Sequence, residues 1–222
     1  MYKIKKIFGS EQGDEFFELE LPDGDRKTVN IWDYSTLYSY PHLYEDLILE
    51  QLECKVYLVL EEFLCSIKDI KQWRILDIAC GSGLMGKFLK THSAISVELL
   101  VGIDILPIAI TALHRDNPHI YDQTYIVGQY EQDDLTKGQF NCLIVSGGAN
   151  HLEFFDYESY LDVLQKSGYL IFNLTNNQKD RRRIEILQWL NSHLTCRGNI
   201  IYEHRKLMNG SIVKHEAFIY QK

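Results

Sequence analysis

The segment richest in chemistry is Ile75-Leu-Asp-Ile-Ala-Cys-Gly-Ser-Gly-Leu-Met-Gly86. An apolar run passes into a glycine-rich turn that opens a helix. Glycine lets the backbone turn tightly and lets a ligand approach the main chain. The helix start adds free N–H groups and a partial positive charge. Gly81-Ser-Gly83-Leu-Met-Gly86 spells G-x-G-x-x-G, the dinucleotide fingerprint, which alone is a weak signal. Asp104 closes the next apolar run, 21 residues after Gly83. That spacing suits a carboxylate accepting hydrogen bonds from a ribose diol. Asp77 lies four residues before Gly81. It would repel a pyrophosphate and attract a cationic ligand. The bland alternative is that Asp77 caps the loop amides.

Other groups invite a role. Ser146-Gly-Gly-Ala-Asn-His151 follows a further apolar run. Its glycines would let a ligand pass close to the backbone. His151 suits a general base near neutral pH, and Asn150 suits substrate orientation; otherwise His151 only starts the next helix. Asn173 and Thr175 end another strand, so they line a cavity or merely terminate the strand. Cys80 reads as a packing residue, because Asp77 opposes thiolate formation. Arg181-Arg-Arg183 is either a solvated face or a grip on an anionic acceptor. The eight histidines are scattered, and no metal-ligand spacing occurs.

The elements that must position these groups alternate from residue 73 onward. Strands are expected at WRILDIA, ELLVGIDI, TYIVGQY, FNCLIVSGG and YLIFNLT, with helices between them. Asn209-Gly210 marks a terminal hairpin. The pattern predicts an α/β fold: a doubly wound, mostly parallel, seven-stranded Rossmann-like sheet with a C-terminal antiparallel hairpin. Residues 43–66 read as one long helix. Residues 1–30 read as a small β appendage of two strands (2–8 and 16–21), and 31–222 as the main domain. Residues 31–45 hold Tyr34, Tyr38, Tyr40, Tyr44, Trp32 and His42. They form either a capping segment or a lid, since tyrosine offers an apolar face with a polar tip.

The chain has 222 residues, of which 45% are hydrophobic and 24% charged, as in a soluble globular protein. No apolar run reaches the ~18 residues of a membrane span, and no secretory signal is visible. Thirty-one acids against 23 bases give a net charge of −8, which argues against a nucleic-acid partner. Five cysteines without a C-x-x-C pair suggest a reducing, cytoplasmic setting.

Four stretches together resemble the class I S-adenosylmethionine-dependent methyltransferases. Asp77-Ile-Ala-Cys-Gly-Ser-Gly83 resembles their first motif, and Val101-Gly-Ile-Asp-Ile-Leu-Pro107 the second. Phe140–Gly148 resembles the fourth strand and its tip, and Ser167–Phe172 the turn and strand after it. The likeness covers roughly residues 31–222. It implies S-adenosyl-L-methionine as cofactor, with contacts from Asp77, Ala79, Cys80, Gly81, Ser82, Gly83, Asp104, Ile105, Gln129, Ser146 and Gly147. Ala79 stands where the family often has its first glycine. Gln129 stands where many members place an acid near the adenine amino group; Asp133 and Asp134 are the alternative. The aromatic segment resembles the lid of small-molecule methyltransferases, with Tyr38 and Tyr44 against the cofactor. The expected reaction is methyl transfer to a small-molecule substrate. Cyclisation or aminocarboxypropyl transfer with the same cofactor is the alternative, and an NAD-dependent oxidoreductase a remote one. The appendage strands are able to pair with a second copy, which would make a homodimer.

Overall fold

The computed structural model describes residues 2–9, 11–91, 94–129, 135–207 and 209–222. Asp133 and Asp134 lie outside the described residues.

Seven strands form the main sheet: β4 (Trp73–Ile78), β5 (Val97–Asp104), β6 (Gln123–Ile126), β7 (Phe140–Val145), β8 (Leu164–Thr175), β9 (Thr195–Lys206) and β10 (Ile212–Gln221). Their order is β6-β5-β4-β7-β8-β10-β9. The links among β6, β5, β4, β7 and β8 are parallel, and β10 runs antiparallel to both its neighbours. This is the expected doubly wound sheet with its terminal hairpin. The central strands are apolar on both faces because helices cover both.

The alternation of side chains decides what each face meets. Ile75, Cys142, Ile144, Ile171, Ala217 and Ile219 pack with α3 (Val56–Ser66), α4 (Leu84–Thr91) and α5 (Pro107–Asp116). Leu76, Ile78, Leu143, Val145, Phe172 and Phe218 pack with α6 (Phe154–Val163) and α7 (Arg181–His193). Pro107 opens α5, where its missing N–H costs nothing.

The appendage has three strands instead of the expected two: β1 (Lys3–Phe8), β2 (Phe16–Glu20) and β3 (Arg26–Asn30). Only Val29 of β3 is buried, so β3 carries little apolar signal. The appendage shares one core with the helical segment after it. Phe17, Leu19 and Val29 pack with Leu37 of α1 (Tyr34–Ser39), Leu43 of α2 (Leu43–Glu45), Leu47 and Leu52.

The single helix expected over 43–66 is broken. A π-helical turn, Asp46–Gln51, follows α2, and α3 restarts at Val56. Between them Glu53 adopts a left-handed φ of 49°. The break docks on β9: Lys206 N–H donates to Leu52 O, and Lys55 N–H to His204 O, both at 2.8 Å. Among the described residues no helix is long and apolar enough to cross a membrane.

Candidate active site

The turn between β4 and α4 places Ala79, Gly81 and Gly83 in the left-handed region, at φ of 57°, 56° and 88°. Alanine there costs about 1–2 kcal/mol that glycine would not. Asp104 ends β5 and holds this turn. Its Oδ2 accepts from Gly81 N–H and its Oδ1 from Leu106 N–H, both at 2.9 Å. The loop amide is therefore capped by Asp104, not by Asp77. Burial raises the Asp104 carboxyl above its ordinary value, against the pull of these N–H groups.

Asp77 is fully buried and accepts a hydrogen bond from Tyr121 Oη at 2.5 Å. The same hydroxyl accepts from Gly86 N–H at 3.0 Å. Burial pushes the Asp77 carboxyl up to about 7, although the Tyr121 bond opposes the shift. The Tyr121 ring explains two glycines. A Cβ on Gly86 would lie 2.4 Å from it, and one on Gly102 2.9 Å. The last glycine of the G-x-G-x-x-G string thus makes room for a tyrosine. Asn117 donates to Ser82 O at 2.8 Å. Asp77 Oδ1 and Ser82 Oγ are buried and have no partner among the described residues. Cys80 is buried, and burial raises its thiol well above the ordinary range, as befits a packing residue.

The aromatic segment lies over this turn. Asp33 caps α1 by accepting from Thr36 N–H at 3.1 Å. Tyr34 stacks on Tyr38 with centroids 5.8 Å apart, and Tyr38 meets Tyr44 at 5.2 Å. Tyr38 packs on Ala109 and Ala112 of α5. Arg115 of α5 donates to Tyr38 O and Tyr40 O. A Cβ on Gly81 would sit 2.6 Å from the Tyr38 hydroxyl, so Tyr38 stands on the glycine turn itself.

The tip of β7 completes the rim. Gly147 has a φ of 83°, and its N–H donates to Asn173 Oδ1 at 2.8 Å. Ser146 is half-buried. Gly148 packs so close that a Cβ there would meet Ala79 Cβ at 2.7 Å. Asn150 and His151 are exposed on the short 3-10 turn Ala149–His151. Ile105 is 71% exposed beside Asp104. Gln129 is also exposed, three residues past Ile126, the β6 partner of Asp104. The three arginines are otherwise engaged. Arg181 pairs with Glu185, Arg182 with Leu152 O and Glu153, and Arg183 with buried Glu216.

No protein-family model matches the sequence, and no curated protein matches it either. Solved structures do. A SAM-dependent methyltransferase from Aquifex aeolicus matches with a TM-score of 0.55 at 13% identity, over 86% of this chain and 98% of that one. An S-adenosylmethionine-dependent methyltransferase from Mesorhizobium loti matches with 0.53 at 9%, over 74% and 96%. A Pyrococcus horikoshii protein named as an RNA methyltransferase matches with 0.55 at 12%, over 75% and 82%. The chain has the class I methyltransferase fold. At these identities the likeness is one of fold, and in the methyltransferase fold the glycine turn, Asp104 and the β7 tip share the carboxyl edge of the sheet. Tyr121 and Asn117 escape a motif reading because they lie outside the motifs. Gly102, a glycine in mid-strand, was the one signal of a close approach.

Proposed function

We propose that this chain is an S-adenosylmethionine-dependent methyltransferase acting on a small-molecule acceptor. The observation that carries the reading is Asp104, held by Gly81 N–H at the end of β5. A carboxylate has about four lone-pair sites. Two are taken by backbone N–H groups, which leaves acceptors for a ribose diol next to the turn that would carry the rest of the cofactor.

The residues fit that cofactor. Among the described residues Asp77 Oδ1 and Ser82 Oγ are buried without partners, and an acid at the base of the turn favours an ammonium over a pyrophosphate. When bound, S-adenosylmethionine supplies an electrophilic methyl group. Ile105 offers an apolar surface to a purine and Gln129 an amide to its edge. Ser146 and Gly147 face the amino-acid end with Cys80 and Gly83. Tyr38 and Tyr44 close over the site and exclude water, and Asn150 and His151 orient the acceptor and take its proton where one must leave. The net charge of −8 supports a small acceptor over a nucleic acid. Unpaired cysteines support a cytoplasmic setting.

Calorimetry with S-adenosylhomocysteine tests the cofactor, with binding expected. Mass spectrometry of the products tests the reaction. S-adenosylhomocysteine accompanies methyl transfer, whereas methylthioadenosine would mean aminocarboxypropyl chemistry. Tight NADH binding with no response to S-adenosylhomocysteine would replace the reading with an oxidoreductase.

A further inference from the structure

A second polar cluster occupies the carboxyl edge of the sheet, on the face covered by α3 and α4. Ile144, Ile171, Ala217 and Ile219 belong to that face. By the two-residue period of strands so do Ser146, Asn173 and His215. His215 is buried, and its ring stacks on His204 of β9 with centroids 3.7 Å apart and planes 5° from parallel.

The hydrogen bonds fix the tautomer of His215. Gly147 N–H donates to Asn173 Oδ1 at 2.8 Å, which orients the amide. Asn173 Nδ2 then faces His215 Nδ1 at 3.0 Å and donates to it. Nδ1 therefore holds the lone pair, and the ring proton sits on Nε2. Burial and the neighbouring Arg205 charge keep the ring neutral, with its ordinary value lowered to about 4. Gln12 Nε2 stands 3.2 Å from His215 Nε2. Two N–H groups cannot bond each other, and Asn173 is pinned by Gly147, so the Gln12 amide is assigned the turned-over orientation that offers its oxygen to Nε2–H. Gln12 is exposed, in the loop between β1 and β2. A buried, oriented donor is thus satisfied by a surface side chain that other oxygen acceptors are able to replace. The donor also lies one residue contact, Asn173, from the β7 tip.

We propose that His215 anchors the methyl acceptor, donating from Nε2–H to a planar carbonyl-type oxygen, amide or carboxylate, which takes the place of Gln12. This rests on the methyltransferase reading above. Asn173 is then a positioning residue: it sets the tautomer and links the anchor to Gly147, where the amino-acid end of the cofactor belongs.

The test uses the whole protein saturated with S-adenosylhomocysteine, with benzoate and benzamide as probes. Nitrogen NMR of the histidines reads the His215 Nε2 signal. A saturable shift is expected with at least one probe, and the preferred probe tells carboxylate from amide. Gln12→Ala removes the competing amide from an exposed loop and should tighten that probe about 5-fold, the worth of one neutral hydrogen bond. His215→Phe keeps a ring on His204 but removes the donor. It should weaken the probe about tenfold or more while S-adenosylhomocysteine affinity stays within about twofold. A histidine that serves only packing would give no Gln12→Ala gain. The anchor is overturned if neither probe shifts His215 Nε2 in the unaltered protein or in Gln12→Ala, or if Gln12→Ala leaves affinity unchanged. Failure of S-adenosylhomocysteine to bind, read by calorimetry before any probe is added, overturns the cofactor reading instead.

Discussion

On the proposed reading, Asp77 couples the cofactor site to pH. Its carboxyl is raised to about 7 by burial, so below neutrality it is largely protonated in the free protein. An ammonium beside it favours the ionised form, and binding must then release a proton. S-adenosylhomocysteine affinity is expected to fall as pH drops from 8 to 6, by up to about tenfold per unit; Asp77→Asn should flatten that profile in calorimetry. The stability effect has its own sign. The folded value lies above the unfolded one of ~3.9, so the contribution is complete below pH ~4 and is lost as pH rises through 7. Unliganded Asp77→Asn should therefore gain stability at pH 8, seen as a higher urea midpoint. Asp104→Ala should cost about 1.5–3 kcal/mol of cofactor binding, the range for hydrogen bonds to a charged group, and calorimetry would show it. The glycine turn and Asp104 at the end of the next strand were legible as motif positions on consecutive βα units, but the bond from Gly81 N–H to Asp104 was not, since the amide cap was read at Asp77. Tyr121 was not, because a hydroxyl filling a slot between glycines leaves no spacing of its own.

At the scale of elements, the aromatic segment 31–45, proposed as a lid, is the part whose behaviour the structure makes most testable. A six-residue helix such as α1 is too short to persist alone. It is held by Arg115 and by Tyr38 on α5. Because the Tyr38 hydroxyl stands on Gly81, a ligand that reaches the turn must share that space with it. Gly81→Val forces a branched side chain at a left-handed φ against Tyr38. It should abolish S-adenosylhomocysteine binding and raise hydrogen exchange across residues 31–45, while the sheet keeps its protection. In the unaltered protein, exchange across 31–45 should slow when the ligand binds; equal exchange would mean that the aromatics only pack. The main sheet was readable from its alternating runs. The break in 43–66 was not. Leu47, Leu52 and Val56 keep a helical apolar stripe through it, and what breaks the helix is a pair of backbone bonds to β9, about 150 residues further on. β3 was hidden for the opposite reason, since Arg26, Lys27 and Thr28 are exposed and leave almost no period to read.

For the molecule as a whole, one ion pair ties its two sheets together. Arg205 of β9 donates to Glu15, just before β2, at 2.7 and 2.5 Å, and both are buried. Glu15→Gln would strand the guanidinium and should destabilise the fold by about 3–5 kcal/mol in urea titration. Acid attacks the same region. The folded values of His204 and His215 are lowered to about 2 and about 4, below the unfolded value of ~6.5. Stability is therefore full above pH ~6.5 and is lost as pH falls toward 4, the reverse of the Asp77 trend. Glu15 and Arg205 are also 190 residues apart in sequence, and this matters while the chain is being made. At translation rates of about 5–20 residues per second, Glu15 waits roughly 10–40 s for its partner. During that interval the first three strands are able to pair, yet they have neither the counter-charge of Arg205 nor His215 to meet Gln12. The ribosome has thus delivered the glycine turn, Asp104 and the aromatic segment well before the segment that locks the appendage down. On the reading proposed above, a nascent chain gains its cofactor-binding parts first and its acceptor end last.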